Sequence, residues 1–424
     1  MNTQCKSFNS YSLDNSAIIH LAARQKKHTN SFRITITLKE PVCGKILQKA
    51  LNRITPRFPT VIAGIHRDFF GYHVVPVKVP PHIRKEQDCL APMTKEEIRD
   101  HAFRVLYCEN RISAEFFHSL TDGYGGMVVM TTLVAEYLQQ KYGLFVPITE
   151  MILDTDGSPT EDEIIDNYFT YAGKKSIFLK HSNVYQLSGD CHPDNKILTY
   201  RGTFTTDMVL HAAHHYGVSM TTFLCAVMAA SVMEIQHRNQ TGRQHLKPVQ
   251  IMVPVNLRKL FPSKTLRNFS LFALSCIEPQ DNNKTFEELI HNTKKQLTSQ
   301  TASDYMAAVM ATYTKAERFP LYRMMPLPIK WLILHLSHQI FGEGNSCISI
   351  SNLGAISLPE VMNKYIEGID FILTPRIKSS YNCGIISFNG IISLSFSRFC
   401  IEPELEKIFF RKLQQFSGYE MDSE

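Results

Sequence analysis

The chain has 424 residues, more than a single hydrophobic core usually organises, so its length predicts two domains. Hydrophobic residues make up 44% and charged residues 20% of the sequence, which excludes a disordered chain. Basic residues exceed acidic ones by 45 to 39 without forming a basic run, which favours a small anionic ligand and argues against nucleic acid.

The cysteines and the start of the chain bear on its compartment. The ten cysteines include no Cys-x-x-Cys pair and no Cys/His cluster with zinc spacing, so reduced, mostly buried thiols and no metal are predicted. The first ten residues are polar and lack the apolar core of a secretion signal, which predicts a cytoplasmic protein. The most apolar stretch, 331–341, is too short and too often interrupted by polar residues to span a membrane.

The N-terminal part of the chain shows patterns of both strands and helices. Residues 32–38 alternate apolar and polar side chains, which predicts a half-buried strand. A helix follows over 41–54, closed by a proline, and then a hairpin over 104–108 and 112–117. The hairpin leads into a tight loop over 118–126 and a helix over 127–142 that Gly143 caps.

The pattern weakens over 147–195, which predicts a crossover between an N-terminal lobe over 1–180 and a C-terminal lobe over 195–424. Within it, the acidic stretch 154–163 would place Ile152 as the first ligand of a calcium-binding EF-hand loop. Isoleucine cannot bind the ion, so a solvated loop is expected there.

The C-terminal lobe also mixes strands and helices, without strict alternation and without repeats. Strands are expected over 197–204, 249–255, 269–277, 347–351, 381–387 and 391–397, and helices over 206–216, 219–238, 284–300, 303–317 and 403–416.

The segment His118-Ser-Leu-Thr-Asp122-Gly123 lies between the predicted hairpin and the helix. An imidazole held in such a turn can act as a general base if its tautomer and the direction of Nε2 are fixed. Asp122 is predicted to lock the loop through an arginine rather than to touch the substrate. Gly123 and the two glycines after it let the backbone turn and approach a neighbour closely. The alternative is a packed or turn-forming histidine, as most of the other 16 histidines are expected to be.

Other chemistries find no support in the sequence. A dinucleotide site at Gly123-x-Gly125-x-x-Val128 lacks the third glycine and the acidic residue about 20 positions later. Neither a Gly-x-Ser-x-Gly elbow nor a Walker A sequence occurs, which argues against the commonest hydrolases and nucleotide-binding proteins.

The His118 segment resembles the His-x-x-x-Asp-Gly signature of the superfamily of chloramphenicol acetyltransferases, BAHD plant acyltransferases, peptide-synthetase condensation domains and fungal and bacterial alcohol acetyltransferases. Further segments in the same order strengthen the resemblance, which spans nearly the whole chain. They are 11–17, 34–38, 50–59, 253–262 with 266–269, and 349–354.

Two departures narrow the resemblance to one branch. Phe117 stands where chloramphenicol acetyltransferases and condensation domains carry a first histidine. The Asp-Phe-Gly-Trp-Gly sequence of the BAHD branch is not found, and 350–354 stands nearest to it in order. The alcohol acetyltransferase-like branch therefore fits best.

The resemblance implies an α/β (α+β) fold of two chloramphenicol-acetyltransferase-like domains, each a mixed sheet flanked by helices, with the active-site channel between them. His118 is implied to be the general base and Asp122 a structural acid paired with Arg258. For Arg258, a solvent-exposed loop charge is the alternative. Asn352 is a candidate oxyanion donor, with a turn-forming asparagine as the alternative.

The implied activity is transfer of an acyl group, in the first place acetyl, from acyl-CoA to a hydroxyl or amine of a small acceptor. Acyl-CoA would be a co-substrate, and no bound cofactor is expected. Two alternatives stay open: condensation or acyl transfer from an acyl carrier protein, and a catalytically silent homologue that binds acyl ligands or another protein. Membrane contact through 328–341 is a further idea, against which a core helix is the expectation.

Overall fold

The computed structural model describes residues 10–13, 17, 21, 29–86, 88–177, 183–194, 196–239, 246–281, 284–316, 319, 322, 324–330, 345–376 and 378–418. The apolar stretch 331–341, and with it most of the candidate membrane-contact segment, lies outside these ranges.

Within the described ranges the strands are β1 (Tyr11–Ser12), β2 (Ser31–Leu38), β3 (Ala63–Arg67), β4 (Tyr72–Pro76), β5 (Arg84–Lys85), β6 (Phe103–Cys108), β7 (Arg111–Phe117), β8 (Leu198–Thr205), β9 (Val249–Asn256), β10 (Ser270–Ile277), β11 (Ile348–Ile356), β12 (Ile366–Leu373), β13 (Tyr381–Phe388) and β14 (Ile391–Arg398). The helices are α1 (Gly44–Ile54), α2 (Lys95–His101), α3 (Gly123–Tyr142), α4 (Glu161–Ile164), α5 (Tyr168–Tyr171), α6 (Thr206–His215), α7 (Met220–Asn239), α8 (Phe286–Gln300), α9 (Ser303–Thr314), α10 (Glu360–Asn363) and α11 (Glu404–Ser417).

Two large sheets organise the molecule, each with its own hydrophobic core. The N-terminal sheet has the strand order β12-β2-β7-β6-β5, and the C-terminal sheet has the order β10-β9-β11-β13-β14-β8. Both are mixed, because β5 pairs parallel with β6 and β11 pairs parallel with β9 and β13. Helices α1 and α3 pack together on the N-terminal sheet, and α7, α8 and α11 pack on the C-terminal one. The expected fold of two mixed sheets flanked by helices is confirmed.

Strand β2 is buried on both faces, so its predicted half-buried character is wrong. It lies between β12 and β7, and Ser31, Arg33 and Thr35, which alternate with its apolar side chains, are buried as well. Arg33 donates to the Glu115 carboxylate at 2.6 Å, and Thr35 shares a hydrogen bond with Ser113 at 2.9 Å. The polar residues at alternate positions of β2 therefore form buried ion pairs and hydrogen bonds and do not face solvent.

Helix α3 begins four residues earlier than the sequence predicts. Asp122 is its N-cap, and Asp122 Oδ1 accepts a hydrogen bond from the Gly125 amide at 3.1 Å. The glycines expected in a tight loop thus form the first helical turn, although glycine is a poor helix former. The predicted cap at the other end is confirmed, since Gly143 has the left-handed φ of 67°.

Strand β12 belongs to the C-terminal half of the chain but to the N-terminal sheet. It follows β11 and α10 in the C-terminal half, yet it pairs antiparallel with β2, with Ile369 opposite Ile36. Its other contacts run to the C-terminal sheet, where Asp370 forms an ion pair with Arg201 at 2.6 Å and accepts from Ser393 at 2.7 Å. The C-terminal half therefore supplies one strand of the N-terminal sheet and joins the two sheets through it.

The acidic stretch 154–163 is only partly solvated, which corrects the expected loop. Arg57 donates from Nε to the Asp154 carbonyl at 3.0 Å. The Arg57 guanidinium also makes two bonds to the Glu163 carboxylate, at 2.8 and 2.7 Å, and both side chains are largely buried. The stretch ends in helix α4, and its last carboxylate fastens the crossover to the N-terminal lobe.

In the part of the chain that the structure describes, no single helix is long and apolar enough to cross a membrane. Helices α6 and α7 reach the required length and hydropathy only when they are taken together, and the pair is bent by 82°.

The nine cysteines in the described residues all carry free thiols, but only four of them are buried. The expectation of mostly buried thiols is therefore wrong.

Candidate active site around His118

His118 directly follows β7 and is fixed by the backbone on both sides of it. Its amide donates to the Asn30 carbonyl at 2.9 Å, and the Leu120 amide closes a turn onto the Phe117 carbonyl at 3.0 Å. The half-buried imidazole meets the Phe32 ring edge-to-face, with 5.3 Å between ring centroids. A buried strand end and an aromatic wall therefore set the position of the ring.

Burial lowers the pKa of His118 below its ordinary value of 6.5. Its own main-chain carbonyl, the charge of Asp122 and the side chain of Asn268 oppose this shift. A lowered pKa keeps the imidazole neutral at pH 7, and only the neutral ring can accept a proton. The site therefore holds His118 in the form that a general base requires.

The Asp122 carboxylate ties the loop to the C-terminal half. Besides capping α3 through Oδ1, it accepts through Oδ2 from Arg258 Nη1 at 2.7 Å and from the Phe269 amide at 2.8 Å. These three bonds engage both carboxylate oxygens, and their partners are backbone amides and Arg258 rather than the imidazole. Asp122 is placed to hold the loop.

Arg258 is a buried partner and not a solvent-exposed loop charge. Its side chain is 6% exposed, and it lies in the turn that begins at Asn256. The remaining donors bind the Thr265 carbonyl at 2.9 Å and the Arg267 carbonyl at 2.6 Å, and the guanidinium stacks 4.7 Å from the centre of the Tyr124 ring. The Asp122–Arg258 ion pair is therefore part of a network in which every guanidinium nitrogen of Arg258 donates a hydrogen bond.

The glycines after Asp122 allow close approach rather than an unusual backbone angle. A Cβ on Gly123 would overlap the Leu353 side chain, and a Cβ on Gly125 would overlap the Leu266 carbonyl. A Cβ on Gly126 would lie 2.7 Å from the Phe32 ring. The first turn of α3 is thus the place where residues from the second half of the chain reach the His118 loop.

Asn352 lies in β11 at an irregularity of the sheet, where the pairing with β13 shifts register. Its Oδ1 accepts from the Gly354 amide at 2.8 Å, and its Nδ2 donates to Thr221 Oγ1 at 3.1 Å. Gly354 has φ of 83°, so this side chain forms the turn. One N–H of the amide is left over from these bonds, so the candidate oxyanion role stays a prediction.

Asn268 is a site residue that the sequence-based assignment missed. Its side-chain amide donates to the main-chain carbonyl of His118, and the residue is 4% exposed. It stands between Arg267, whose carbonyl binds Arg258, and Phe269, whose amide binds Asp122. The only available signal was its place in the segment 266–269, which carried part of the family resemblance.

Comparisons with known proteins find similarity at the level of structure. No protein-family model matches the sequence, and no curated protein does. Among solved structures, polyketide synthase associated protein 5 from Mycobacterium tuberculosis has a TM-score of 0.62 at 15% identity, over 97% of this chain and 99% of that one. TRI3 trichothecene 15-O-acetyltransferase from Fusarium sporotrichioides has a TM-score of 0.61 at 10% identity, over 98% and 97%.

A third similar structure is the starter condensation domain of rhizomide synthetase, solved in complex with C8-CoA and Leu-SNAC. Its TM-score is 0.60 at 11% identity, over 97% of this chain and 94% of that one. The chain thus shares its fold with these acyltransferase and condensation-domain structures over nearly its full length. At these identities the likeness establishes the fold, and one fold can carry several chemistries.

Proposed function

We propose that the chain is an acyltransferase that moves an acyl group, in the first place acetyl, from acyl-CoA to a hydroxyl or amine, with His118 as the general base. The observation that carries this proposal is the half-buried imidazole, whose pKa is lowered by burial, on a loop that the buried Asp122–Arg258 pair locks. The fold supports it, since similar structures include an acetyltransferase and a condensation domain with bound acyl-CoA.

The reaction needs no covalent acyl-enzyme. His118 removes the proton from the acceptor O–H or N–H as the acceptor oxygen or nitrogen forms a bond to the thioester carbonyl carbon. The tetrahedral intermediate then collapses, the C–S bond breaks, and the CoA thiolate leaves with the proton that His118 returns. A positioned base typically contributes about 10²- to 10⁴-fold in rate, and orientation of two substrates supplies much of the rest.

The first experiment measures thiol release from acetyl-CoA and longer acyl-CoAs against a panel of alcohols and amines, for wild type and His118→Ala. We expect acceptor-dependent release that the substitution reduces by about 10²-fold or more, with an unchanged melting temperature. His66→Ala, at an exposed position of β3, is the matched control and should keep full activity. Near wild-type turnover of His118→Ala would refute the proposed base.

The donor is tested in a second arm, because condensation domains share this fold. If every acyl-CoA is silent while an acyl-phosphopantetheinyl carrier protein supports transfer that needs His118, the donor is a carrier protein. If neither donor supports transfer and the protein still binds acyl-CoA, the chain is a catalytically silent binder. Each result separates the identity of the donor from the role of the histidine.

Asn352 is proposed as the oxyanion donor, and one substitution separates this role from turn formation. Asn352→Asp keeps an oxygen for the Gly354 amide but removes the amide donor. An oxyanion role predicts a fall in kcat of about 10²-fold with little change in stability. A residue that only forms the turn would leave kcat close to that of wild type.

A further inference from the structure

An antiparallel bridge joins the crossover segment to the end of β14, and two cysteines stand opposite each other in it. Cys191 is the bridge partner of Cys400. The Ile401 amide donates to the Asp190 carbonyl at 2.8 Å, and the His192 amide donates to the Phe399 carbonyl at 3.2 Å. Because these bonds flank the cysteines, the two form a non-hydrogen-bonded pair, whose Cα atoms lie about 4.5 Å apart with side chains on the same face.

Both cysteine sulfur atoms lie next to Gly189. Cys191 Sγ lies 3.9 Å from the Gly189 carbonyl oxygen. A Cβ on Gly189 would lie 3.3 Å from Cys400 Sγ, so the absence of that side chain leaves room for the sulfur. A Cα separation of about 4.5 Å lies within the range over which disulfides form. The Cα separation of the pair is therefore compatible with a disulfide.

We propose that Cys191 and Cys400 are a modification site at which a low-molecular-weight disulfide, such as oxidised glutathione, converts the two thiols into a reversible cross-strand disulfide. This inference is independent of the proposed acyl transfer. Its direct effect is to fasten the crossover segment 183–194 covalently to the end of the C-terminal sheet.

The disulfide would form in two thiol–disulfide exchange steps, and the exposure of the two cysteines sets their order. Cys191 is exposed, whereas Cys400 is 2% exposed. The Cys191 thiolate first attacks the small disulfide, which forms a mixed disulfide and releases one small thiol. The Cys400 thiolate then attacks Cys191 Sγ, so the protein disulfide forms and the second small thiol leaves. Two protein thiols are oxidised by two electrons, and one small disulfide is reduced to two thiols, which take up the two protons.

The second step is the one expected to depend on pH. Burial raises the pKa of the Cys400 thiol, so little thiolate is present at neutral pH. Because the thiolate is the attacking species, ring closure should become faster as the pH rises.

The experiment incubates the wild-type protein with oxidised glutathione, blocks remaining thiols with iodoacetamide under denaturing conditions, and digests it with trypsin. Cys191 falls in the peptide 181–196 and Cys400 in the peptide 399–407, and neither peptide contains another cysteine. We expect these two peptides to be linked and dithiothreitol to release them. The loop that closes is long, so the melting temperature of the oxidised protein should rise by roughly 2–5 °C.

Two variants serve as controls. Cys191→Ser changes an exposed residue and should abolish the linked peptides and the rise in melting temperature, while the protein stays folded. Cys108→Ser removes a half-buried thiol at the end of β6 and should leave both effects intact. A glutathione adduct that persists on Cys191 at pH 8.5 while Cys400 is still alkylated would overturn the proposal. So would linkage of Cys191 to any cysteine other than Cys400.

Discussion

The side-chain amide of Asn268 holds the main-chain carbonyl of His118, a residue 150 positions earlier in the chain. This bond connects the segment before β10 to the loop that carries the proposed base. The same segment binds Asp122 through the Phe269 amide, so the loop is held at its histidine and at its aspartate. The position of His118 therefore depends on both halves of the chain.

Asn268 is expected to act as a positioning residue. Asn268→Ala should lower kcat roughly 5- to 50-fold, since a buried carbonyl loses its donor. It also removes an interaction that raises the pKa of His118, so the acid limb of the rate profile should move to lower pH. Asn268→Asp places a negative charge there and should move the limb to higher pH. Profiles of kcat/KM against pH check this, and a purely structural role would leave the limb in place for both variants.

The pH dependence of wild type follows from His118 itself. Its pKa in the folded protein is below 6.5, so kcat/KM should not change with pH near pH 7. As the pH is lowered to the pKa of His118, the ring becomes protonated and kcat/KM should fall. The unfolded chain binds the proton at higher pH than the folded one, so His118 should also destabilise the fold as the pH drops below about 6.5. His118→Gln should remove this contribution, which denaturant titrations between pH 5 and 7 would detect.

Breaking the Asp122–Arg258 pair should cost stability as well as activity. Both side chains are about 5% exposed, so either single substitution leaves an unpaired buried charge. Asp122→Asn and Arg258→Met should each lower the free energy of unfolding by about 3–5 kcal/mol. The double variant should lose less than the sum of the two. Additive losses in a denaturant titration would show that the two charges do not interact.

Two glycines of one helical turn should respond differently to alanine. Gly123→Ala meets only the movable end of Leu353, and alanine favours the helix, so the free energy of unfolding should stay within about 1 kcal/mol of wild type. Gly125→Ala meets the Leu266 carbonyl, which is backbone, and should lose about 3 kcal/mol. The two variants are compared by thermal and urea unfolding. A similar loss in both would contradict the distinction between a contact with backbone at Gly125 and a contact with a movable side-chain end at Gly123.

Local sequence patterns predicted the strands and helices whose bounds depend on residues close to them in the chain. Strands β9, β13 and β14 and helix α8 lie within two residues of their expected bounds, because apolar periodicity and capping set them. The start of α3 was missed because three glycines weaken the helix signal while Asp122 supplies the cap. The burial of Arg33 could not be read from alternation, since its partners Glu86 and Glu115 come from other segments.

The residues of the candidate site also fall into those that the sequence predicted and those that it did not. The resemblance to a known family implied His118, Asp122 and Arg258 as site residues, and the implied ion pair between the last two is present. Asn268 was missed because its bond goes to a main-chain carbonyl, which leaves no pattern of residue types to recognise. For Asn352 the sequence left a turn former as the alternative, and the structure shows the turn without testing the catalytic role.

The position of β12 limits how this chain can be divided. A fragment that ends near residue 195 would lack β12, and the apolar strand β2 would become a sheet edge with unpaired backbone groups. Such edges recruit other strands, so the fragment should self-associate when produced alone. The complementary fragment would carry β12 without its partner strand. The two halves should therefore become soluble only when they are made together, which makes the chain a candidate for a split reporter whose pieces assemble through one strand.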